Sequence, residues 1–184
     1  MRGALYKALF AGAAGHTYGH FSLWNFYDTA RVGKQKEGPY EQLFAKFERA
    51  SWQQALDAPG AGQMQHAKAL LLSRPYFTRI PDQSLMTGKA VEGASHITAT
   101  RDRTGAYLMI YLPQGQPVTV DLNQLSGASA VGWWFDPKTG KATKIEGELP
   151  ANQLKHFTPP TNGVDQDWVL VVDDASKRFP QPGS

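Results

Sequence analysis

Residues 130–146 read AVGWWFDPKTGKATKIE, and the reading of this stretch decides the fold of the C-terminal half. Pro137 presets φ at the first central position of a turn, and Gly140 supplies the positive φ that a hairpin bulge needs. The flanks, Ala130–Phe135 and Ala142–Glu146, then become the two arms of an antiparallel hairpin. Trp133 and Trp134 are neighbours on one arm, so they point to opposite faces of the sheet. One belongs to the core. The other faces outward as a ligand aromatic, or packs on the helical half as an interface aromatic.

Further strand candidates surround this hairpin: His96–Thr100, Ala106–Leu112, Val118–Leu122 and Trp168–Asp173. Short strands broken by Gly, Pro, Asn and Asp read as an antiparallel β-sandwich. Upstream of about residue 87 the texture is helical. Leu5, Leu9 and Phe10 share one side of a helix that Gly15 ends. Residues 29–40 read as a loop. Tyr40, Leu43, Phe44 and Phe47 follow the spacing of one buried helix face. Ser51 with Gln54 forms a capping box, ahead of Trp52, Ala55 and Leu56 facing inward. Met64, Ala67, Leu70 and Leu71 stripe a helix over 61–73, which Pro75 closes. The fold class is α+β. A mostly helical segment with one short strand occupies residues 1–86, a β-sandwich module 87–176, and a flexible tail 177–184. Residues 1–89 carry 11 Lys/Arg against 6 Asp/Glu and the remainder 8 against 10, a split of +5 and −2 around a net charge of +3. The change of charge falls at the change of texture.

Several chemistries are excluded. The chain has no cysteine, hence no thiol nucleophile, disulfide framework or Cys-ligated metal. It lacks the G-x-S-x-G elbow and the glycine-rich nucleotide loops. It carries no basic stripe for nucleic acid and no apolar run long enough to span a membrane. No cofactor and no metal is expected. The apolar stretch after Lys7 is short for a signal peptide, so the first fifteen residues read as an amphipathic helix.

The densest cluster of chemistry-bearing side chains is HTYGHFSLWNFYD at residues 16–28. On a strand, His16, Tyr18 and His20 would share one face. Imidazole and phenol hydrogen-bond to hydroxyls, and the indole of Trp24 can lie on the apolar face of a sugar ring. The competing readings are a buried strand with satisfied polar tips, and a histidine metal site that Gly15 and Gly19 make a poor helix for. Asp28 could face the same cleft or cap a turn, the latter being commoner.

The run Ala11-Gly12-Ala13-Ala14-Gly15-His16-Thr17-Tyr18-Gly19-His20 resembles a signature of apiosidase-like glycoside hydrolases, near the end of their (β/α)8 barrel. Trp52, Pro59-Gly60-Ala61, Ser73-Arg74-Pro75-Tyr76-Phe77 and Ile80-Pro81-Asp82-Gln83 are similar to the segment closing that barrel. Ala99-Thr100-Arg101-Asp102, Tyr111-Leu112-Pro113, Gly132 through Gly140, Phe157-Thr158-Pro159-Pro160 and Asp167-Trp168 resemble the small β module, named as a collagen-binding domain, that follows such barrels. Lys138 stands where the family usually has arginine.

The resemblance implies that His16, Tyr18 and His20 lie at a sugar-binding rim, to which the reading of the residues adds Trp24, with carbohydrate of the plant polysaccharide class as partner. It also implies export to the periplasm or beyond, and collagen as partner by name only. A complete barrel takes about 250 residues. The 184 residues here therefore suit a barrel-closing portion plus one β module, partnered with the upstream barrel segment and not catalytic alone. No catalytic residue is carried over. The alternatives are a stand-alone binding module for polysaccharide or collagen, and a purely structural support domain.

Overall fold

A computed structural model of the chain describes residues 1–28, 30, 50–88 and 92–184. The helix expected from Tyr40, Leu43, Phe44 and Phe47, and the loop over 29–40 apart from Ala30, lie outside the described residues. The described chain falls into two compact units: Met1–His16 with Gln63–Ser184, and Thr17–Gly62.

The larger unit contains ten strands among the described residues: β1 (Arg79–Pro81), β2 (Met86–Thr87), β3 (Thr98–Asp102), β4 (Tyr107–Leu112), β5 (Val118–Asp121), β6 (Ser129–Phe135), β7 (Ala142–Lys144), β8 (Leu149–Pro150), β9 (Leu154–Phe157) and β10 (Trp168–Asp174). They form a seven-stranded sheet in the order β1-β3-β4-β10-β6-β7, with β8 also on β6, and a three-stranded sheet β2-β5-β9. Every pairing is antiparallel. The two sheets enclose Leu108, Ile110, Leu112, Val118, Val120, Trp134, Phe157, Leu170 and Val172.

The hairpin of residues 130–146 forms as its sequence dictates. The Asp136 carbonyl accepts from the Gly140 amide at 2.9 Å, and the Asp136 amide donates to Lys141 at 2.8 Å. The Asp136 carboxylate accepts from the Lys138 amide at 2.8 Å, and Gly140 sits at φ +72°.

The large sheet is covered on its other face as well. Helix α1 (Arg2–Phe10) and the later part of a fourteen-residue helix (Pro59–Leu72) lie there. Leu5, Tyr6, Leu9, Phe10, Ala67, Leu70 and Leu71 pack with Tyr107, Met109, Tyr111, Phe135, Val169 and Val171. All six residues of β4 are consequently buried. Odd positions meet helices and even positions meet the second sheet, which explains a nearly unbroken apolar run on an antiparallel strand. The Tyr6 ring stacks on Tyr111 with centroids 5.0 Å apart. Arg79 donates to the Leu9 carbonyl at 2.6 Å, placing a cation at the negative end of α1.

Two ion pairs fasten the same face. Arg2 grips Asp167 through two bonds of 2.7 Å, and Tyr111 donates to that carboxylate at 3.0 Å. Arg74 grips Asp173 through two bonds of 2.8 Å. The end of the chain, expected to be flexible, is docked instead. Phe179 packs edge-on to Tyr107 and over the Arg74 guanidinium, Pro182 is buried, and Gln181 donates to the Ala142 carbonyl at 3.0 Å. An aromatic within a short polar run suffices to anchor it when a buried cation waits beneath.

The smaller unit holds α2 (Phe21–Trp24) and α3 (Trp52–Leu56); the first residues of the fourteen-residue helix, α4, also belong to it. Ser51 and Gln54 make the expected capping box. The Trp52 amide donates to the Tyr27 carbonyl at 2.8 Å, and Phe26 meets the Trp52 ring edge-on. Ala55 is buried as expected, but Leu56 is 56% exposed, because α3 is too short to bury two successive residues on one side.

Candidate functional site

The expected site residues divide between the two units: His16 ends one segment of the larger, and Tyr18, His20 and Trp24 belong to the smaller. Residues 15–20 join no strand, so the shared strand face expected for 16, 18 and 20 does not form as a ladder. His20 keeps an extended backbone, φ −119° and ψ 128°, and serves as the N-cap of α2. Its Nδ1 accepts from the Ser22 amide at 3.3 Å. A neutral imidazole that accepts through Nδ1 carries its proton on Nε2, which makes Nε2 the donor nitrogen of this ring.

Tyr18 and Trp24 are each set against a glycine. A Cβ built on Gly60 would stand 2.9 Å from the Tyr18 ring, and one built on Gly19 would stand 2.9 Å from the Trp24 indole. The two rings therefore rest on bare backbone, which no other residue type would leave room for. Trp24 remains 77% exposed and Phe26 70% exposed. An indole held against backbone and otherwise open to solvent offers a flat apolar surface. Within the larger unit, His16 is half-buried. Its Nε2 is screened from solvent and has no hydrogen-bond partner among the described residues, an orphaned polar atom of the kind that sites retain.

Asp28 takes its commoner role. Its carboxylate accepts from the Ala30 amide at 2.9 Å, which is a turn contact. Asp82 is likewise engaged, with Arg101 at 2.6 Å and with the Ser84 amide. Burial pushes its carboxyl up, yet the bonds from Ser84 and Arg101 outweigh that and hold it below the ordinary carboxylate range. No group of three or more His, Asp or Glu suited to a metal occurs among the described residues.

The two adjacent tryptophans separate as their register requires. Trp134 is 8% exposed and sits between the sheets, edge-on to Phe157 and Trp168. Trp133 lies partly buried on the helix-covered face. Sequence reasoning missed Arg2, Arg74, Asp167 and Asp173. Charged residues ordinarily read as surface, and only the unbroken apolar run of β4 could have hinted that the opposite face of the sheet was also covered.

The family model described as "Apiosidase-like, catalytic domain" matches residues 1–78. The one described as "Putative collagen-binding domain of a collagenase" matches residues 80–173. A solved structure titled a glycoside hydrolase is 36% identical with a TM-score of 0.82, covering 96% of this chain and 36% of that one. A glycoside hydrolase family 5 structure from Bacteroides vulgatus is 33% identical with a TM-score of 0.84, covering 98% of this chain and 37% of that one. The chain thus spans little more than a third of the length of either. No protein with a curated description matches.

Proposed function

This chain belongs to the family in which an apiosidase-like segment is followed by a collagen-binding-type β domain, and from that premise we propose that it supplies part of a sugar-binding rim together with an accessory sandwich. It is related to the glycoside hydrolases. In this reading residues 1–86 are the closing portion of a barrel, 87–176 the accessory module and 177–184 its end. His16, Tyr18, His20 and Trp24 contact carbohydrate of the plant polysaccharide class. The carboxylates that cleave the glycosidic bond belong to the rest of the barrel.

The observation that carries this reading is the exposed Trp24 indole seated on Gly19, close in sequence to a His20 whose Nδ1 accepts from the Ser22 amide, which makes Nε2 the donor nitrogen of the neutral ring. A ring platform next to a hydrogen-bond donor is suited to a pyranose, which has one apolar face and a belt of hydroxyls. Glycosidase assays of the 184-residue chain on pectic oligosaccharides test it, together with titration of the same oligosaccharides followed by tryptophan fluorescence. No turnover is expected, and Trp24→Ala should weaken binding about tenfold. Turnover at an ordinary enzymatic rate, or unchanged binding by Trp24→Ala, refutes it.

A support role for the sandwich is favoured by a second observation. The helices carrying Leu5, Phe10, Leu70 and Leu71 pack across its large sheet, and two ion pairs tie residues 2 and 74 to residues 167 and 173. The module braces the closing helices whether or not it binds a ligand of its own.

A further inference from the structure

A cleft of about 380 Å³ opens at the end of the smaller sheet, walled by Met86, Thr87, His96, Ile97, Thr119 and His156, among others. We propose that this cleft is a second ligand site, specific for a neutral, hydroxyl-rich ring: one saccharide unit.

Register puts the polar wall in a row. Thr119 pairs with Thr87 on one side and with His156 on the other. Its neighbours Val118 and Val120 point into the core, so Thr87, Thr119 and His156 share the opposite face. The Thr119 hydroxyl lies 3.1 Å from His156 Nδ1, which fixes the plane of that imidazole and turns Nε2 away from Thr119.

The segment carrying His96 is held rigidly. Gln83 accepts from the Ala99 amide at 2.6 Å and donates to the Ile97 carbonyl at 3.0 Å. Gln116 donates to the Ser95 carbonyl at 2.7 Å and accepts from the Gln114 amide at 3.0 Å. Gln83 Nε2 also lies 3.5 Å from His96 Nε2, so backbone and imidazole are both held and the cleft is preorganised before any ligand arrives.

Its chemistry selects the ligand. Among the described residues that line the cleft there is no Asp, Glu, Lys or Arg, which favours a neutral ligand. Imidazole and hydroxyl groups both donate and accept, as sugar hydroxyls do. Met86, Ile97 and Pro117 supply an apolar surface for a ring face. The volume is near the lower end of the roughly 300–1,000 Å³ usual for small-molecule sites, which is far too small for a triple helix.

The inference is independent of the rim, and the experiment reads the two apart. The 184-residue chain, with labelled His and Trp side chains, is titrated by NMR with galactose, xylose and cellobiose. Galacturonate and a triple-helical Gly-Pro-Hyp repeat peptide serve as comparators. At least one neutral sugar should shift the His96 and His156 ring resonances saturably. Thr119→Val should weaken that binding about three- to tenfold at unchanged melting temperature, with His156→Ala as a second variant. Four results overturn the proposal: no saturable shift with any neutral sugar, shifts confined to the Trp24 indole, response to galacturonate or the peptide alone, or undiminished affinity in both variants.

Discussion

The guanidinium of Arg74 and the carboxylate of Asp173 meet through two parallel hydrogen bonds of 2.8 Å, 99 residues apart in the chain. Their side chains are 0% and 4% exposed. Burial pushes the Asp173 carboxyl above its ordinary range against the opposing pull of Arg74. The two residues lie in segments matched by different families, so this pair fastens one to the other.

Removing either partner leaves a buried charge uncompensated. Arg74→Met and Asp173→Asn should each cost about 3–5 kcal/mol in urea unfolding. The double variant Arg74→Met/Asp173→Leu should regain much of that loss, because an apolar pair of similar volume avoids the desolvation cost. Single variants that cost less than about 1 kcal/mol would show the pair to be no clamp.

Trp134 and Trp133 should respond differently to truncation. Trp134 fills the space between the sheets against Phe157 and Trp168, so Trp134→Ala should cost about 3–5 kcal/mol. Trp133→Ala, on the partly buried helix face, should cost less. Chemical denaturation of both variants decides it, and equal losses would contradict the burial difference.

Phe179 covers the Arg74 guanidinium at 4.8 Å and meets Tyr107 edge-on. Phe179→Ala should lower stability by about 1–3 kcal/mol. Amide exchange at Arg178–Gly183 should quicken in parallel. A variant as stable as the parent would mean that the end of the chain rests on the surface without supporting it.

Acid should destabilise the protein through identifiable groups. Burial raises the carboxyls of Asp82, Asp102 and Asp174, but hydrogen bonds from Ser84, Thr104 and Ser126 respectively outweigh it, and all three lie below the ordinary value of 3.8. A lowered folded-state value contributes stability that is present above 3.8 and is lost as pH falls through the folded values. Asp173 has the opposite sign. Its raised value costs stability as pH rises through it, so mild acidification relieves it. The melting temperature should hold or rise slightly from neutral pH into weak acid, then fall below about pH 4. Asp82→Asn should make the acid fall shallower, and an unchanged profile would remove Asp82 from this account.

Local rules made several elements readable. Pro137 and Gly140 specify a turn whatever surrounds them, and Ser51 with Gln54 specifies a helix start. Ala67, Leu70 and Leu71 needed only their spacing. β8 and β9 escaped notice because Leu149–Pro150 and Leu154–Phe157 are too short to show alternation. Arg2 and Asp167 were illegible for another reason: they are 165 residues apart and meet because α1 lies over the large sheet, and no window of sequence reports that. The proposed rim was legible only as a set of residue types. The residue types at 16, 18, 20 and 24 suggested sugar contact, but the strand geometry assumed for them requires a ladder partner that 15–20 does not have among the described residues.

The helix-covered face of the large sheet bears on anyone who would treat 80–173 as a portable cassette. Excised at the boundary between the two matched families, the domain would present Tyr107, Met109, Tyr111, Val169 and Val171 to water, and would strand Asp167 and Asp173 without their arginines. Inheritance and folding draw the border of this module in different places, and a soluble fragment would need to bring α1 and α4 along.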